Sequence, residues 1–90
     1  MTAALLVSAT SLPAFADSLY GSCRRSDGSK VDGTARITTS WNGSYAVPRD
    51  GAYRLHLGGS VKQTITVYVD GSRHTTVFVD GDKRLDIVIR

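Results

Sequence analysis

The residues of this chain with the reactivity to do chemistry are two histidines (His56 and His74), one cysteine (Cys23), and aspartates that mostly stand before glycines. A metal site or a proton relay needs its partners close in space, and the two histidines lie far apart in sequence, each in a β-prone run. Both read as exposed strand histidines. Ser, Thr, His and Asp are all present, but a triad is defined by geometry and not by composition. The sequence has no Gly-x-Ser-x-Gly, no metal-binding histidine pair and no Walker loop. Paired carboxylates for glycoside hydrolysis need a cleft, whereas these aspartates sit almost wholly in turns. Asp80-Gly81-Asp82 offers oxygens to calcium, but the EF-hand spacing is missing and turn chemistry accounts for the residues. No catalytic residue, cofactor or metal ligand is assigned.

Binding is the better-populated class. Arg36, Arg54, His56 and Lys62, with Thr38, Thr64 and Thr66, fall on strand positions that can share one outer sheet face. Such a basic, Thr-rich face suits an acidic glycan or another anionic surface. The plainer reading is a solvated face whose arginine stems cover apolar surface. Trp41, Tyr45 and Tyr20 lie near turns and could form a platform for sugar stacking, although Trp41 also suits core packing. Cys23 reads as a small buried thiol or, as the odd cysteine of an exported protein, as one half of an intermolecular disulfide.

The elements that must position these residues are strands. All acids in the 90 residues are Asp and none is Glu, a bias toward turns and away from helices. Eleven Lys and Arg stand against 8 acids. The resulting +3 is a mild, unclustered excess, short of a nucleic-acid footprint. Residues 1–16 carry an apolar stretch ending in Ala14-Phe15-Ala16, the layout of a cleavable secretory signal peptide, so one domain is expected over 17–90. The apolar stretch is shorter than the roughly 20 residues that a membrane span requires. A secreted or periplasmic location follows from this reading. A core this small often leans on disulfides or metals. With a single cysteine the chain must rely on packing or on a partner.

Six Asx-Gly dipeptides punctuate short alternating runs. Gln63–Val69, Ser72–Val79 and the run to Arg90 are rich in Val, Ile and Thr and are separated by Asp-Gly. They predict a three-strand antiparallel meander. Upstream runs at 19–25, 34–41, 44–47 and 52–57 bring the total to seven strands, an all-β, seven-stranded antiparallel β-sandwich. Alternation puts Ala35, Ile37, Trp41, Val47, Tyr53, Leu55 and Leu57 in the core. From the meander it adds Ile65, Val67, Val69, Val77, Val79, Leu85, Ile87 and Ile89. The 63–79 hairpin has two solutions. A three-residue loop turns His74 and Phe78 outward, and a two-residue loop turns them in.

Gly21-x-Cys23, Asp27-Gly28-Ser29-x-Val31-x-Gly33-Thr34-Ala35 and Asp50-Gly51-x-Tyr53-x-Leu55 resemble the carboxypeptidase regulatory-like domain, a transthyretin-like (prealbumin-like) or Ig-like sandwich. The likeness extends over essentially all of 17–90. It implies a non-enzymatic module that in the family usually rides on a larger secreted protein. The same scaffold includes a branch that hydrolyses 5-hydroxyisourate, with clustered His and Arg and a Tyr-Arg-Gly-Ser tail. This sequence closes on Ile87-Val88-Ile89-Arg90, so that carry-over fails.

The functional expectation is an accessory or binding module acting through a sheet face or edge, with a protein or a cell-envelope glycan as partner. No nucleic acid and no membrane span are expected. The candidate face is Arg36, Arg54, His56, Lys62, Thr64 and Thr66. A homodimer through a strand edge or through Cys23 is a further reading, and a small hydrolase on the prealbumin-like scaffold is the lowest-ranked alternative.

Overall fold

The computed structural model describes residues 16–90, so the leader expected over 1–16 lies outside the described residues except for Ala16. No helix occurs among the described residues. There are eight strands: β1 (Ser18–Arg25), β2 (Ile37–Thr39), β3 (Tyr45–Ala46), β4 (Ala52–His56), β5 (Gln63–Val69), β6 (Ser72–Val79), β7 (Lys83–Arg84) and β8 (Ile87–Ile89). They form two four-stranded sheets. One is β4-β1 with β7 and β8 in succession along the other side of β1; the second is β3-β2-β5-β6.

Side-chain alternation packs the sheets together. In β4, Tyr53 and Leu55 are buried while Ala52, Arg54 and His56 are exposed. The first sheet contributes Leu19, Cys23, Leu55 and Ile87 to the core, and the second contributes Ile37, Ile65, Val67 and Val79. Loop residues Val31, Leu57 and Val61 complete it. Full burial of a Leu, Ile or Val is worth about 1.5–3 kcal/mol. Val47, expected inside, is only half-buried, and Trp41, Val69, Val77, Leu85 and Ile89 pack only partly buried against the core, whereas Leu19, Val31, Ala46 and Val61 belong to it without having been expected there. Asp17 is buried and ties the 57–61 loop to the start of β1. Its Oδ2 accepts from the Val61 N–H at 2.9 Å, and its backbone bonds Leu57 and Gly59.

The hairpin between β5 and β6 settles its register in a third way. The loop has two residues, with Asp70 and Gly71 at φ 50° and 84°, the positive pair that a tight hairpin turn demands. The expected outward direction of Phe78 nevertheless holds. A bulge leaves His74 as an extra residue between the pairs Tyr68↔Arg73 and Val67↔Thr75, which restores the alternation beyond it. Asp50-Gly51 repeats this turn chemistry (φ 52° and 80°) and carries the chain from β3 in one sheet to β4 in the other.

The expected seven-stranded, wholly antiparallel arrangement is corrected by the last run. It does not pair with β6 as a third meander strand. It crosses to the other sheet and runs parallel to β1, with Leu19↔Lys83 and Tyr20↔Arg84 in β7 and Cys23↔Ile87 in β8. A break at Leu85-Asp86 divides the run in two, which makes the count eight. The break lies against Gly21, whose φ is 155°. A Cβ there would meet the Leu85 carbonyl oxygen at 2.5 Å and Asp86 Oδ1 at 2.8 Å. Glycine inside a strand here permits a backbone approach that no other residue allows.

Gly21→Ala is therefore expected to lower stability by roughly 2 kcal/mol, read as a lower urea midpoint. Gly43→Ala, where an added Cβ meets nothing within 4 Å, is the control and should leave the midpoint almost unchanged. Equal midpoints for the two variants would contradict the close approach.

Candidate binding surfaces

The six residues expected on one face do not share it. Arg54 and His56 project from β4 in the first sheet, while Thr64 and Thr66 lie on β5 in the second. Lys62 precedes β5 and Arg36 precedes β2. Alternation showed which residues point outward but not which sheet each strand joins.

Three of the six still gather around one aromatic ring. Tyr45 on β3 is 55% exposed, and the Arg36 guanidinium lies 4.3 Å from its ring centroid. Tyr45 also lines a shallow cleft of about 570 Å³ with Arg54, His56 and the Asn42-Gly43-Ser44 turn. These side chains are partly engaged. Arg54 stacks over Tyr20 at 4.9 Å and reaches Asp82 at 3.7 Å, and His56 Nδ1 is 3.2 Å from Ser18 Oγ. Asn42 caps its own turn and donates to the Leu57 carbonyl, which also receives the Trp41 Nε1–H at 3.0 Å. Trp41 is half-buried against the core and is not a free stacking surface.

A second cleft, of about 550 Å³, opens between the sheets where the β5–β6 turn meets β8. Val69 and Ile89 form its apolar part with exposed Val88, and Arg73, His74 and Arg90 stand at its rim. The strand orders explain the opening. β3 and β4 close one side of the sandwich through their tight turn, while among the described residues β6 ends its sheet and β8 has no strand beyond it. His74 belongs here and His56 to the other cleft, so the histidines lie on different sheets.

The titratable groups with shifted ionisation are structural. Cys23 is fully buried, and desolvation raises its thiol, opposed by the nearby Arg25 charge. In this fold its sulfur is out of reach of a second chain. Burial pushes the Tyr53 phenol far above its ordinary value, and its hydroxyl donates to the Leu85 carbonyl at 2.6 Å. Asp86 is held below the usual carboxylate range, first by the Ser22 N–H at 2.9 Å and also by Arg84. Asp27 is lowered by the hydroxyl and N–H of Ser29.

No group of three or more His, Cys or Asp side chains able to hold a metal occurs among the described residues, and no helix long and apolar enough to cross a membrane occurs among them. Compared with known proteins, the chain matches no family model, no curated protein and no solved structure. The candidate face left out Tyr68, Arg73 and Val88. Tyr68 alternates outward with Thr64 and Thr66, and Arg73 stands opposite it because the two-residue turn pairs the two before the bulge begins.

Two measurements check this electrostatic picture. A carboxylate lowered by folding contributes fully above its unfolded value, near pH 4, and the contribution is lost as pH falls through the lower folded value. Asp86→Asn should therefore lose less thermal stability than the parent on acidification, with Asp27 retaining part of the loss. Cys23 should resist maleimide in the native protein and react on unfolding in urea; rapid native labelling would contradict its burial.

Proposed function

We propose that this chain is a non-enzymatic accessory module, secreted or periplasmic, that captures an extended segment of a protein partner along the open β6–β8 side. The carrying observation is that β6, eight residues long, has no strand beyond it among the described residues and adjoins the apolar cleft of Val69, Val88 and Ile89. Adding a strand to such an edge gives affinity through main-chain hydrogen bonds and specificity through alternate side chains placed in pockets. The bulge at His74 and the charge of Arg73 blunt one end of the edge, which leaves Thr75–Val79 to accept the partner. Phe78, 55% exposed, offers it an apolar contact on the outer face.

The resemblance of Gly21-x-Cys23 and Asp50-Gly51-x-Tyr53-x-Leu55 to carboxypeptidase regulatory-like domains supports the same class, as does the two-sheet all-β architecture. The leader-like residues 1–16 support export. The separation of His56 from His74 gives the hydrolase alternative no support.

Short peptides selected on the native protein from a display library are expected to slow hydrogen exchange of amides in 75–79. Phe78→Lys, a charge placed on the edge, should weaken those peptides by about tenfold without changing the fold. Selected peptides that leave the 75–79 amides unprotected, or that bind Phe78→Lys equally well, would remove the basis for strand addition.

A further inference from the structure

The outer face of the β3-β2-β5-β6 sheet carries a pattern separate from the open edge. Register places Tyr45, Thr38, Tyr68 and Arg73 directly opposite one another, one from each strand, in a single row across the sheet. Tyr45 and Tyr68 are thus two strand spacings apart, about 10 Å, with the small Thr38 between them. Beside that row Thr66 pairs with Thr76, and Thr64 with Phe78. The hydroxyls of Thr38, Thr64, Thr66 and Thr76 make no hydrogen bond to another group among the described residues.

Charge on this face has one sign. The four strands contain no acidic residue, and neither Arg73 nor the flanking Arg36 has a carboxylate within 4 Å among the described residues. Asp70, in the β5–β6 turn beside Arg36, accepts the Arg36 backbone N–H at 2.9 Å. Arg36 holds its guanidinium over Tyr45, so ring and cation are presented together. The result is a face that carries two aromatic rings, free hydroxyls between and beside them, and a guanidinium at each end of the row.

We infer that this face binds an acidic polysaccharide, with sugar rings laid across Tyr45 and Tyr68 and sugar carboxylates meeting Arg36 and Arg73. The apolar C–H face of a pyranose matches a tyrosine ring, and two rings about 10 Å apart suit alternate sugars of an extended chain, with one sugar lying over Thr38 between them. Carboxylate–guanidinium hydrogen bonds are charge-assisted and can be bidentate. Threonine hydroxyls donate to or accept from sugar hydroxyls without a change of rotamer. The surface meets the edge assigned to a protein segment only at β6, and its two tyrosines lie on β3 and β5, so neither assignment requires the other.

Affinity electrophoresis of the whole chain provides the test, with three probes: polygalacturonate, its methyl ester (the same rings without charge) and oligothymidylate. Polygalacturonate should retard the protein most. Tyr68→Ala and, independently, the more exposed Tyr45→Ala should each weaken both sugar polymers by roughly tenfold. Arg73→Gln should weaken the acidic polymer and leave its methyl ester unaffected. Circular dichroism of each variant reports whether the sheet is intact. Three results would overturn the inference: no retardation by polygalacturonate, equal retardation by oligothymidylate, or acidic-polymer binding that both tyrosine variants retain while folded.

Discussion

The arrangement of the whole sandwich depends on one close approach, where the backbone of Leu85-Asp86 passes against Gly21. Around it the Leu85 N–H donates to the Tyr20 carbonyl at 2.8 Å, the Ser22 N–H to Asp86 at 2.9 Å, and the Tyr53 hydroxyl to the Leu85 carbonyl at 2.6 Å. These bonds hold β7 and β8 parallel to β1 and make β1 the interior strand of its sheet. They also decide what the molecule exposes. Because the final run goes to β1, β6 is left at the end of its own sheet, and the cleft beside Val69 and Ile89 stays open. A local steric allowance, the missing Cβ of one glycine, thus sets the surface available to a partner.

The rest of the stability comes from small contributions that must all be present. The core is a single layer of aliphatic side chains between two short sheets, with no disulfide and with Cys23 packed as an apolar group. Every buried side-chain N or O among the described residues has a partner. Asp17 shows what that requires, since its buried carboxylate has the Val61 backbone N–H aimed at it. The exposed ion pairs Lys30–Asp50 and Arg84–Asp86 add little by comparison, as solvent screens them.

Much of the fold was legible in the sequence. Alternation in Ala52–His56 and Gln63–Val69 reports which side chains are buried, and Asp-Gly reports a tight turn, so strand positions and most core residues follow directly. Pairing partners do not follow, because an apolar strand buries the same face whether its neighbour is β6 or β1. Gly21 carried a readable sign, as an isolated glycine in a strand marks close backbone approach. The bulge at His74 left no such mark, since bulge position depends on both strands together. The candidate face failed for the same reason as the last strand. Arg54 and Thr64 alternate alike, yet they belong to different sheets, and a row such as Tyr45-Thr38-Tyr68-Arg73 exists only once four strands are in register.

The union of β1 with β8 also governs the order in which the molecule can assemble. Ser22 and Asp86 are 64 positions apart, so the interior strand of the first sheet has no partner on that side until the run from Lys83 has been synthesised. The β5–β6 hairpin, by contrast, needs only its own residues and can form early. Until the run from Lys83 arrives, Leu19 lacks β7 and Cys23 lacks β8 beside it, and β1 is paired on its β4 side alone. Closure is then a single late event that couples the two ends of the domain.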